Sequence, residues 1–104
     1  MIARVWRGTA SLEGAQPYED HLHLDTLPAL RQIDGFEGAH VLRRDVAEGV
    51  EFLVLTLWES RDAIRTFAGD DWDQAVVPDA ARELLVEFDE RVRHYDVALT
   101  PASG

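Results

Sequence analysis

The run Phe52-Leu53-Val54-Leu55-Thr56-Leu57-Trp58 constrains the fold of this chain more than any other segment. Side chains alternate across a strand, so Phe52, Val54 and Trp58 point one way and Leu53, Leu55 and Leu57 the other. A strand that is apolar on both faces needs a cover on each. Ser60 can then stop the strand and N-cap a helix, with Asp62 in the first turn where the dipole favours a negative charge. Ala63, Ile64 and Phe67 give that helix its inner stripe. A chain of 104 residues holds a single core and has helices for one side of a sheet only. The sequence therefore predicts a second copy of the protein against the other side.

The remaining segments fit around this unit. Ile2 to Arg7 alternates as a strand, with Ile2, Arg4 and Trp6 on one face and Ala3, Val5 and Arg7 on the other. Gly8 to Gly14 reads as a loop. Pro17 suits the first turn of a helix running to about Asp25, in which Tyr18, His21, Leu22 and Asp25 share one face. Pro28 interrupts that helix, and a shorter turn continues through Leu30 and Arg31. Asp34-Gly35-Phe36-Glu37-Gly38 leads into a second strand, Ala39 to Arg44, joined to the third by an Ala47-Glu48-Gly49 hairpin. Beyond Gly69-Asp70-Asp71, residues 72 to 77 form an irregular or helical piece closed by Pro78. Asp79 can cap a last helical stretch towards Val86, and Arg91 to Leu99 reads as a fourth strand. The expected order is strand–helix–strand–strand–helix–strand, an α+β, ferredoxin-like domain over residues 1–99 with a flexible tail over 100–104. Its four-stranded antiparallel sheet carries helices on one face, and the bare face dimerises.

Composition narrows the chemistry. A net charge of −10 and the lack of any basic stripe argue against nucleic acid and anionic membranes as partners. No apolar stretch approaches the ~20 residues of a membrane span. The N-terminus enters a strand with no signal-peptide pattern, which places the protein in the cytoplasm. There is no Cys, no Lys and no Asn. That removes thiol nucleophiles, thiolate metal sites and lysine Schiff bases. Neither a G-x-S-x-G elbow nor a phosphate-cradling glycine loop is present. What is left for chemistry is His, Asp, Glu, Arg, Tyr, Trp and the shape of a cavity.

His21 and Asp25, one helical turn apart on the inner face, either satisfy each other structurally or form an oriented base, since a carboxylate selects the imidazole tautomer. His23 diverges from His21, so the pair is not a metal site. His40 and His94 lie on strands two and four, facing either the pocket or the dimer interface. Either could deprotonate a phenol. Arg7 either holds a phenolate or carboxylate or pairs with one of the many acidic groups. Trp58 ends the most buried strand as a core or pocket wall. Trp72 follows the Gly-Asp-Asp break, either as a lid that stacks on an aromatic ligand or as ordinary surface packing.

Asp34-Gly35-Phe36-Glu37-Gly38, the strand ending Thr56-Leu57-Trp58-Glu59-Ser60, and Ala63 with Phe67 resemble the antibiotic biosynthesis monooxygenase superfamily. The resemblance spans essentially the whole chain, to His94-Tyr95-Asp96-Val97. It implies a ferredoxin-like subunit that pairs into a dimeric α/β barrel, with a pocket between sheet and helices. In that family some members oxidise aromatic polyketides without metal or flavin, and others bind and degrade haem. Where the haem-degrading branch carries Asn, Trp and an axial His, this sequence has Arg7, Phe67 and Val77. Where the cofactor-free branch carries Asn, Trp and Tyr, it has Ala63, Phe67 and Trp72. The resemblance implies a homodimeric, cofactor-independent monooxygenase acting on an aromatic polyketide or related phenol with molecular oxygen. Tyr18, Trp58, Phe67, Trp72 and Arg7 are its candidate substrate contacts. His21 with Asp25, His94 and His40 are its candidate catalytic groups, with no cofactor and no metal. A non-redox cyclase or isomerase in the same pocket and a non-catalytic binder of a small apolar ligand are the alternatives.

Overall fold

In the computed structural model, which describes residues 1–101, one antiparallel sheet carries all the helices on a single face. β1 (Ile2–Ala10) is an inner strand, and β3 (Gly49–Trp58) pairs along its whole length, Ile2 opposite Trp58 and Ala10 opposite Val50. β2 (Phe36–Val46) lies outside β3. The other side of β1 is shared by two short strands, β4 (Leu85–Phe88) at its C-terminal end and β5 (Arg93–Asp96) at its N-terminal end. The arrangement is the ferredoxin-like α+β fold, with β4 and β5 together filling the fourth strand position.

α1 (Leu12–His21) runs through one π-helical turn (Leu22–Thr26) into α2 (Leu27–Arg31). α1 starts earlier than Pro17 because Ser11 accepts a hydrogen bond from the Gly14 N–H at 3.0 Å, which caps the helix at Leu12. Pro28 does not end the helix. A proline lacks an N–H and its ring crowds the carbonyl four residues back. The widened turn just before it, where the Leu27 N–H reaches the Leu22 carbonyl, lets the chain pass. α3 (Arg61–Ala68) starts as the sequence predicts, with Ser60 accepting from the Ala63 N–H at 3.2 Å.

Two segments depart from the sequence reading. β1 continues past Arg7 because Gly8, Thr9 and Ala10 find partners on both sides, Phe52 to Val50 in β3 and Phe88 to Leu85 in β4. The exposed edge so created draws Leu85–Phe88 into a strand, so α4 (Asp79–Arg82) is a single turn and does not reach Val86. The last strand is correspondingly short. The tail expected over residues 100–104 lies, from Ala102 onward, outside the described residues.

Strand parity sorts the sheet. Trp6 and Ala10 of β1 with Val50 and Phe52 of β3 join Tyr18 and Leu22 of the helical segment in one core. Trp58 packs with Leu30, Ala63 and Ile64 in a second. Trp58 and Phe52 are fully buried. Leu53, Leu55 and Leu57 are only half-buried on the opposite face, where Val5 is aligned with Leu55 and Leu42 with Leu53. No helix among the described residues covers them.

Gly35 ties the turn before β2 to the start of α3. Its carbonyl accepts from the Glu59 N–H at 2.8 Å, and its φ of 91° is one that L side chains rarely adopt. A Cβ there would sit 2.6 Å from the Ala63 Cβ. Gly35→Ala is expected to destabilise the fold by about 1–3 kcal/mol. Urea denaturation checks this as a lower midpoint at an unchanged m-value.

Candidate functional site

The sheet and helices leave a cavity between them, on the covered face. Arg4 and Trp6 of β1 and Val54 and Thr56 of β3 form its floor, and these residues are cross-strand neighbours, Arg4 with Thr56 and Trp6 with Val54. Tyr18, His21, Leu22, Thr26 and Leu30 descend from the α1–α2 segment, and Phe67 from α3. The remaining wall is the irregular stretch Val76-Val77-Pro78, with Ala81 and Val92 behind it. The cavity holds about 70 Å³, room for a few waters at ~10–15 Å³ each, so an aromatic ligand enters only if a wall moves. The wall without regular structure is the one able to yield.

His21 lines this cavity, and its Nδ1 lies 3.3 Å from the Asp25 carboxylate. Asp25 itself is largely exposed and stays outside the lining. Tyr18 also lines it, its ring edge-on to Phe52 at 5.0 Å. Burial pushes the Tyr18 phenol above its ordinary pKa, so the side chain is a neutral wall. Phe67 is a wall residue with Trp58 stacked behind it at 5.8 Å. Trp58 is thus one layer removed from the cavity. Its indole N–H donates to the Thr56 hydroxyl at 2.8 Å and so orients a floor residue.

Four sequence candidates fall elsewhere. His40 stands opposite Leu55 and Arg7 opposite Leu53, which puts both on the uncovered face of the sheet. Arg7 is engaged there by Glu51 and Glu87, each at 3.3 Å, and by Asp89 at 3.7 Å. The single-residue parity of a strand accounts for both placements, each one of the alternatives the sequence left open. Trp72 belongs to the segment that closes the cavity but does not line it: its half-buried ring packs against the Trp58 core and stacks on His94 at 4.0 Å, with the Arg61 guanidinium 4.9 Å from its centroid. His94 is beside the cavity and not in it. Its Nδ1 meets Asp73 at 2.9 Å and its Nε2 faces an Arg4 nitrogen at 3.1 Å.

Arg4, which joins these parts, is a residue that sequence reasoning did not place in the site. It is 4% exposed. Nη1 donates to the Trp72 carbonyl and faces His94, and Nη2 donates to the Gln74 carbonyl at 2.7 Å. The movable wall is therefore pinned to the sheet floor through one side chain. The available signal was an arginine on the inner face of β1, between Ile2 and Trp6, where an unpartnered charge is costly.

Residues 1–71 match the family model for antibiotic biosynthesis monooxygenase, and the chain belongs to that family. Among solved structures it is similar to a Deinococcus radiodurans protein described as a candidate antibiotic biosynthesis monooxygenase, at 20% identity and a TM-score of 0.70, covering 100% of this chain and 99% of that one. It is similar to a variant of SnoaB, a cofactor-independent oxygenase from Streptomyces nogalater, at 17% identity and 0.67, covering 95% and 94%. It is likewise similar to the haem degrader MhuD of Mycobacterium tuberculosis, solved with two haems in its active site, at 20% identity and 0.61, covering 98% and 100%. No protein among the curated sequences matches the chain. Among the described residues no helix is long and apolar enough to cross a membrane, and no group of three His, Asp or Glu gathers to hold a metal ion.

His94 gives this site a pH dependence with a definite sign. Burial lowers its pKa below the ordinary 6.5, Asp73 works in the opposite direction, and the nearby charges of Arg4 and Arg61 lower it further. The unfolded chain thus binds a proton at a pH where the native imidazole does not. Stability should fall as pH drops through about 6.5 towards the lowered native value, and level off below it. Urea titrations from pH 8 to 5 should show this slope for the wild type and a flatter one for His94→Gln.

Proposed function

We propose that this protein is a cofactor-independent monooxygenase that oxidises an aromatic polyketide or related phenol bound between sheet and helices. The observation that carries the reading is the cavity, whose aromatic and aliphatic walls surround one imidazole, His21, paired with a carboxylate at 3.3 Å. Asp25 favours the tautomer with Nδ1 protonated and leaves Nε2 to take a phenolic proton. The ionised ring then supplies electrons to oxygen. A C–O bond forms, the O–O bond breaks, one oxygen stays as a quinone carbonyl and the other leaves as water, so that phenol and O2 give quinone and H2O. The protein contributes a base, an orientation and a site without bulk water. The likeness to SnoaB supports this reading at the level of fold.

For haem, which MhuD binds, the donor set does not suit: Val77, where the resemblance puts the haem-degrading branch's axial ligand, is an apolar wall with no donor atom.

The oxygenase reading is tested by oxygen uptake with a dihydroxynaphthalene. Wild-type protein should consume oxygen, and His21→Ala should lose on the order of 10²–10⁴ in rate while remaining folded. An unchanged rate in His21→Ala overturns the imidazole base. Isomerisation without oxygen uptake makes the protein a cyclase or isomerase, and binding with neither makes it a ligand carrier.

We further read the protein as a cytoplasmic homodimer. Leu53, Leu55 and Leu57 with Val5 form an apolar patch that the chain's own helices leave bare, and such a surface suits a second copy related by a two-fold axis. Sedimentation at micromolar concentration should give the dimer mass, and Leu55→Glu should shift it to the monomer.

A further inference from the structure

Arg4 is the only Arg or Lys lining the cavity, and among the described residues no carboxylate forms an ion pair with it. Asp73 pairs with His94, and its charge favours the Arg4 cation without contacting it. The partners of Arg4 are all uncharged oxygens or an imidazole: the carbonyls of Trp72 and Gln74 and the Nε2 of His94. Because His94 Nδ1 faces the Asp73 carboxylate, Nδ1 carries the proton and Nε2 is an acceptor towards Arg4. These contacts use both Nη groups. The Nε–H has no protein partner among the described residues. Among the described residues no buried side-chain nitrogen or oxygen lacks a partner, so the Nε–H stands where solvent, or an anionic ligand, can reach it. Burial brings the Arg4 pKa down to about 10, which still leaves the guanidinium charged at neutral pH.

We propose that Arg4 is the specificity-determining residue of the cavity and receives the single anionic oxygen of an ionised phenol. The Phe67 ring, 5.6 Å from the guanidinium carbon, and the Tyr18 and Trp6 rings supply aromatic walls for the rest of such a ligand. Three of the five guanidinium N–H donors are engaged, which leaves the Nε–H and one Nη2–H for the ligand oxygen. This proposal rests on the reading of the cavity as a phenol site, and it names what that site selects: the phenolate over the phenol and over an uncharged ring of the same shape. The phenol proton passes to His21 Nε2, the base that lines the same cavity, so the phenolate on Arg4 forms as the imidazole takes up the proton.

The test is an anaerobic spectrophotometric titration of the intact protein with 4-nitrophenol, whose phenolate has its own absorption band, and with its methyl ether 4-nitroanisole. In the wild type the bound phenol's apparent pKa should fall by about one unit or more, the usual effect of an opposite charge within a few ångströms. That is a tenfold or greater preference for phenolate over phenol. Arg4→Met should abolish the preference, and Arg4→Lys should retain most of it. A residue that only clamps the 72–78 segment would, when replaced, weaken 4-nitrophenolate and 4-nitroanisole alike, and an unchanged ratio in Arg4→Met overturns the proposal. So does an unshifted pKa in the wild type, or no binding at millimolar 4-nitrophenol, and these arms decide the matter even if Arg4→Met fails to fold. Tighter binding of 4-nitrobenzoate than of 4-nitrophenolate overturns the assignment to phenolates. No arm needs turnover: a shifted phenol without oxygen uptake leaves Arg4 in its role and removes the oxygenase, whereas oxygen uptake with an unshifted phenol does the reverse.

Discussion

The structure depends on a sheet that has apolar residues on both faces and helices enough for one. β3 presents Phe52, Val54 and Trp58 to the helices and Leu53, Leu55 and Leu57 away from them. Once the helices lie over the even-numbered side chains, the inner face of β1 is committed as well, because cross-strand pairing aligns Arg4 with Thr56 and Trp6 with Val54. The cavity arises between those rows and the α1–α2 segment. The opposite face keeps its leucines and a cluster of charges at one end, with Arg7 and Arg44 both reaching Glu51. Site and bare face are therefore two sides of a single packing choice.

Within the covered face, one buried cation joins the rigid and irregular parts. Arg4 stands on the inner strand β1 and holds the carbonyls of Trp72 and Gln74, at the start of the only cavity wall that lacks regular structure. Further contacts steady the segment from behind. The Ala75 N–H donates to the Glu90 carbonyl at 2.9 Å and the Val92 N–H to the Asp73 carbonyl at 2.8 Å. The floor and helical walls are held by regular hydrogen bonding, whereas this wall depends on a few side-chain and bridging contacts. Loops held in this way are where opening is cheapest. A small cavity and a loosely tied wall belong together, since the first requires the second before a ring system can enter.

Much of the fold was legible because its signals are local and strong. Alternation in β3, the Ser60 cap and the Ala63-Ile64-Phe67 stripe each reflect a rule that acts over a few residues. Legibility failed where tertiary pairing overrode a local preference. Leu85 and Val86, expected at the end of a helix, instead open the strand Leu85–Phe88 because the extended edge of β1 was there to receive it. Pro17 and Pro28 looked like boundaries, yet one sits inside a helix capped upstream by Ser11 and the other follows a widened π turn.

For the site the division is sharper. The amino-acid sequence by itself determined which residue types could act, by leaving out Cys, Lys and Asn, and it put His21 and Asp25 on one helical face at hydrogen-bonding spacing. It also grouped Arg4 with Trp6, since alternation along a strand is a local property. Only the tertiary structure decided which strand face looks into the cavity, so only it could send His40 and Arg7 to the bare side and bring Arg4 inside. The contact of Arg4 with His94 and Trp72 joins residues far apart in the chain. Parity says which side chains share a face. Which face the helices cover is settled by the packing of the whole chain, where burial of Phe52, Trp58 and Ile64 outweighs leaving the leucines of β3 half in water.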